Sequence, residues 1–184
     1  LAATQQIVLD ILLVKQGDMT RNKQPVSVLV VIYTAPLAGS GLTHDVKVLL
    51  LERADHPGYW QSVTGSRDGE ETLTDTAIRE VGEETGLDAR RYLLSDWKSQ
   101  NIYEIYPHWR YRYPPGITYN TEHVFSLQLP HPVDIQLAPR EHLNHQWLAW
   151  QDAAEKVFSP SNRAAILELP QRMQTKERLQ RKSQ

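Results

Sequence analysis

Between Gly65 and Leu87 a glycine-rich turn leads into a segment with helical signals and an excess of carboxylates. At about 3.6 residues per turn, Glu80, Glu83 and Glu84 stand at i, i+3 and i+4, so all three project from one helix face. Like charges at these spacings destabilise a helix by roughly 0.2–0.5 kcal/mol per pair, and the C-terminal end of the helix dipole disfavours anions. Gly82 adds a cost of about 1 kcal/mol relative to Ala. The arrangement makes sense around a hard divalent cation. Mg²⁺ takes oxygen ligands, keeps several waters and bridges to substrate phosphates, which offsets the repulsion. Arg79 is the nearby cation able to hold a carboxylate bidentately. Spacing alone also fits a solvated acidic face.

The elements that must position these residues are legible in outline. Thr72 or Thr74 can cap a helix over Asp75–Glu84, and Gly86 sits where a left-handed C-terminal residue belongs. The β-branched run from Pro25 to Tyr33 and the apolar run Val46–Leu51 read as buried strands. They are expected to form a hairpin whose long connection, Ala35–Asp45, carries Pro36, Gly39 and Gly41. Further strands are expected at Tyr59–Thr64, Tyr92–Ser99, Ile102–Tyr106, Glu122–Leu129 and His145–Trp150. A short helix is expected over Gln151–Val157. Ser159 and Pro160 read as the cap and first residue of another, over Ser161–Leu169. The polar stretch after Pro170 is expected to be a solvated or frayed tail. The order of elements predicts an α/β (α+β) protein with a mixed sheet between helices.

Composition narrows the chemistry. The chain has 184 residues, enough for one domain with a sizeable core. It contains no Cys, which excludes disulfides, thiolate metal sites and a cysteine nucleophile, and permits a cytoplasmic location. A formal charge of −2 gives no global reason to bind nucleic acid or an anionic membrane, so an anionic substrate must be held locally. The apolar stretch Ile7–Val14 is broken by Asp10 and far shorter than the roughly 20 residues that span a bilayer. No phosphate loop of the GxxxxGK[ST] type occurs. His142 and His145 have metal-like spacing, but without Cys or a helical acidic partner they read as structural.

The Gly65–Leu87 segment resembles the signature of the Nudix hydrolases. Gly65, Glu71, Arg79, Glu80, Val81, Glu83, Glu84, Gly86 and Leu87 occupy all of its specified positions. The resemblance extends over most of Lys23–Leu169. Segments such as Tyr59–Ser66, Tyr103–Tyr106, Trp109–Gly116 and Asn120–His123 are similar to the dihydroneopterin triphosphate pyrophosphohydrolase branch of that family. It implies a Nudix fold with domain bounds 23–169, an N-terminal extension at 1–22 without assigned role, and a polar tail at 170–184. It also implies Mg²⁺, with Mn²⁺ as a possible substitute, and cleavage of a small-molecule triphosphate with release of pyrophosphate. Hydrolysis of dATP or of a dinucleoside polyphosphate is the alternative. A catalytically dead nucleotide-binding module is disfavoured, because no signature carboxylate is lost.

Carried over residue by residue, the resemblance makes Glu80, Glu83, Glu84 and Glu141 metal ligands, together with the Gly65 carbonyl. Arg79 and Glu71 become their orienting pair. Lys23, Arg53, Thr64, Tyr103, Glu104, Ile105, Tyr106 and Ser159 become substrate contacts. Ser159 also reads as a plain helix cap. No nucleic-acid or membrane partner is expected, and the oligomeric expectation is a monomer or weak homodimer.

Overall fold

The computed structural model describes residues 22–36 and 45–182, with side chains as far as Thr175. The N-terminal extension up to residue 21 and residues 37–44 of the expected insertion lie outside the described residues. A seven-stranded mixed sheet is built from β1 (Val26–Thr34), β2 (Lys47–Arg53), β3 (Trp60–Gln61), β4 (Val63–Ser66), β5 (Leu93–Glu104), β6 (Tyr119–Leu129) and β7 (His142–Ala149). The helices are α1 (Leu73–Thr85), α2 (Trp150–Lys156) and α3 (Pro160–Lys182). No described helix is long and apolar enough to cross a membrane.

β1 is the spine. It runs parallel to β6 along its whole length and meets β2 antiparallel only at Tyr33–Val48. Into the wedge where β1 and β2 part runs 60–66, with β3 on β2 and β4 on β1. Alternation gives β1 two buried faces. Val28, Val30 and Ile32 pack with Ala77 and Val81 of α1, while Leu29, Val31 and Tyr33 pack with Ala153, Ile166 and Leu169 of α2 and α3. Because β4 is paired with β1, Gly65 lies level with Val28 and Thr64 level with Leu29. Gly65 therefore faces α1, and Thr64 faces the α3 side.

Three expectations change. The one strand expected over Tyr59–Thr64 is two, β3 and β4, which part at Ser62 because one pairs with β2 and the other with β1. The two strands expected over 92–106 are one strand, β5, kinked where the pairing with β6 shifts between Asp96 and Gln100. Lys98 adopts φ 54° there, held by Asp96, while Trp97 turns inward and donates to Ser126 Oγ at 2.9 Å. The stretch after Pro170 is helical as far as Lys182, not frayed. Proline removes one helix hydrogen bond. Burial of Met173 and the stacking of Arg172 on Trp97, 4.5 Å from the ring centre, hold the helix past it.

Candidate active site

Helix α1 starts where the Thr72 side chain accepts the Asp75 N–H and stops at Gly86, whose φ of 72° suits glycine. Its inward face buries Glu80 and Glu84 along with Ala77 and Val81. Glu80 is accommodated because residue 65 has no side chain. A Cβ there would lie 1.7 Å from Glu80 Cδ.

Arg79 is the hub of the preceding turn. Its Nε and one terminal nitrogen donate to the two oxygens of Glu71 at 2.8 and 3.1 Å. The other terminal nitrogen reaches Glu80 at 2.7 Å and Glu83 at 3.0 Å, and the Ser66 carbonyl accepts at 3.0 Å. Glu71 also accepts from the Asp68 N–H and the Thr76 hydroxyl, which closes the turn on the helix. Hydrogen bonds from Arg79 hold the Glu71 carboxyl down at about 2. Burial pushes Glu80 up to about 7, with Arg79 opposing and Glu84 reinforcing the rise.

The deepest carboxylate is Glu84. Its Oε2 lies 3.1 Å from His142 Nε2, with both groups buried, yet neither that oxygen nor either ring nitrogen makes an aligned hydrogen bond among the described residues. Burial raises the Glu84 carboxyl, and His142 opposes the rise. Glu141, exposed in the turn just before β7, completes a group with Glu84 and His142 whose ligand atoms lie within 4.8 Å of one another. Two carboxylates and an imidazole with orphaned buried atoms fit a divalent cation. The structure brings Glu84 and Glu141 together. Glu80 and Glu83 are turned to Arg79. His142, read from the sequence as structural, sits in the cluster, and HxxH spacing was its only signal.

Basic side chains lie within electrostatic reach of the carboxylates. Lys23 is held by its N–H on the Arg112 carbonyl at 2.8 Å. Burial lowers its ammonium and the Arg112 charge adds to this, while Glu80 and Glu141 act against them. Arg53 forms a bidentate pair with Asp55 at 2.8 and 2.7 Å and donates to Gln61, whose amide donates to Thr64 Oγ1 at 3.0 Å. Arg53 also lies over the Trp109 ring. Trp109 belongs to an aromatic group with His56, Tyr106, His108 and Phe158, most of which carried no sequence signal.

The Tyr103–Tyr106 segment splits. Ile105 is buried, Glu104 pairs with Arg110, the Tyr103 hydroxyl reaches a buried polar row, and Tyr106 joins the aromatic group. Ser159 Oγ lies 2.9 Å from Ser161 Oγ and accepts a long hydrogen bond from the Asn162 N–H, the geometry of a cap.

The NUDIX domain model matches residues 23–169. Dihydroneopterin triphosphate diphosphatase of Escherichia coli strain K12 is 46% identical over 147 residues, covering 78% of this chain and 91% of that protein. The Haemophilus influenzae protein of the same name is 40% identical over 152 residues, covering 80% and 89%. The solved structure of the E. coli dihydroneopterin triphosphate pyrophosphohydrolase superposes with a TM-score of 0.69 at 44% identity, covering 79% of this chain and 94% of that one. With the family model spanning residues 23–169 and relatives of 40–46% identity covering most of their length, the chain belongs to the Nudix family.

Proposed function

We propose that this chain hydrolyses dihydroneopterin triphosphate to dihydroneopterin monophosphate and pyrophosphate, using Mg²⁺ or Mn²⁺. The supporting observation is that groups of both signs lie close together: Glu84 groups with Glu141 and His142, and Lys23 lies within electrostatic reach of Glu80, Glu141, Arg112 and Arg53. In this reading the triphosphate oxygens meet Lys23 and Arg112. A divalent cation bound at the carboxylates supplies charge neutralisation and a water of lowered pKa.

The remaining work belongs to the chain itself. Arg79 keeps Glu71, Glu80 and Glu83 in register, so the carboxylates are positioned before substrate arrives. In this reading Glu141, the exposed carboxylate of the cluster, takes the proton of the attacking water. Gln61 ties Thr64 to Arg53, fixing the strand that carries Gly65. Substrate and products are small molecules, and a cytoplasmic monomer or weak homodimer suffices for this chemistry.

The test uses chelator-treated protein and a panel of triphosphates, scoring pyrophosphate against orthophosphate. Restoration by Mg²⁺ or Mn²⁺ with pyrophosphate as product is expected. Full turnover in excess chelator, or orthophosphate release, would overturn the proposal.

A further inference from the structure

On the α3-facing side of the sheet, the apolar rows end at the start of β1 and polar residues take over. Ser27 on β1 lies directly across from Glu122 on β6, and Glu122 lies across from Asn101 on β5. One rung along, Asn120 lies across from Tyr103. Pairing and two-residue alternation put all five on one face. Asn120 Nδ2 donates to Ser27 Oγ at 2.7 Å and to the Tyr103 hydroxyl at 3.1 Å. Ser161 and Asn101 lie beside the Glu122 carboxylate and oppose the rise that burial imposes on it.

Two acceptors are left over. Glu122 is 4% exposed and Asn120 1% exposed, yet Glu122 Oε2 and Asn120 Oδ1 have no partner among the described residues. A buried unsatisfied polar atom is destabilising, a cost that apolar residues would avoid. The metal cluster, the Arg79 hub and the cations make no use of this row.

We propose that Glu122, seconded by Asn120, reads the substrate's ring by accepting hydrogen bonds from the N3–H and 2-amino group of a 2-amino-4-oxopyrimidine edge. The inference rests on the triphosphate reading above and names what selects the ring. Pterins and guanine carry these two donors side by side, the pattern a carboxylate accepts in parallel. Adenine presents the N1 lone pair beside a single amine, so a buried carboxylate meets it with repulsion. Sites built around a buried polar group reject analogues lacking its partner by factors of up to about 10⁴–10⁵.

β4, which carries Gly65 against Glu80 on the α1 face, and β6, which carries Glu122 on the α3 face, flank β1 on either side, so the open-chain linker between ring and phosphates has to pass round the sheet from one face to the other. Tyr103 spans from the surface to the row, offering the ring a face to stack on. Burial also raises the Glu122 carboxyl, a penalty that N–H donors relieve.

The test compares kcat/KM for dihydroneopterin triphosphate, dGTP and dATP in the parent and in Glu122→Gln, a nearly isosteric change. The ratio of pterin or guanine substrate to dATP should fall at least about tenfold in the variant, through KM as well as kcat. An unchanged ratio, with all substrates falling together, would overturn the proposal and leave Glu122 a structural residue. A parent that prefers dATP to the pterin sinks the proposed substrate, whereas the dGTP-to-dATP ratio still tests Glu122. A second measurement needs no variant. The parent should bind neopterin at least about tenfold more tightly than its 2-desamino analogue by titration calorimetry, and equal affinities would overturn the proposal.

Discussion

Arg79 touches three carboxylates and a carbonyl, so single changes around it should separate geometry from stability. Gly65→Ala puts a methyl where the Glu80 carboxylate sits. What must move is the far end of a flexible side chain, so the fold should survive while turnover falls roughly tenfold or more. Circular dichroism and steady-state rates check this, and parental turnover would contradict the packing of Glu80 on Gly65. Glu71 supplies a pH signature. Its carboxyl is held at about 2 against an ordinary 4.5, so the folded protein binds fewer protons there than the unfolded chain between those values. Its stabilisation is full above 4.5 and is lost as pH falls toward 2. Thermal melts of Glu71→Gln should show a deficit at neutral pH that shrinks in acid. A deficit independent of pH would contradict the ion pair. At this scale much was legible, because Glu71, Arg79 and the three helix carboxylates lie within one short segment. The approach of His142 to Glu84 was not, since it depends on where β7 pairs with β2.

Helix α1 and its Thr72 and Gly86 ends follow local rules, which is why the sequence reading found them. Helix α3 does not. Proline and a polar composition argue for an end near residue 170, but the sheet supplies Trp97 as a docking partner for Arg172, and Met173 is buried with it. Met173→Ala should therefore cost about 2–5 kcal/mol in chemical denaturation. A change near zero would mean that the helix past Pro170 contributes nothing. The β3–β4 break is another long-range feature. Ser62 N–H donates to Asn162 Oδ1 at 2.8 Å, and the Asn162 amide donates to Ser62 Oγ at 2.9 Å. This fixes the first turn of α3 to the strand beside Gly65, a contact no local pattern announces.

For the whole molecule, a net charge of −2 hides a local gathering of both signs, the carboxylates of α1 and Glu141 near Lys23, Arg53 and Arg112. Composition excluded thiol chemistry and pointed away from nucleic acid, and the mixed sheet between helices was legible from element order. The ring-side row was not, because Ser27, Glu122 and Asn101 meet only through the registers of three strands. Metal and signature carboxylates see phosphates common to many substrates, so selectivity has to come from groups that read the ring and linker. The most direct test of the proposed function is kcat/KM for dihydroneopterin triphosphate against dATP and diadenosine tetraphosphate at one Mg²⁺ concentration. The account predicts that the pterin substrate has the highest value. A preference of about tenfold for dATP or the diadenosine compound would contradict it.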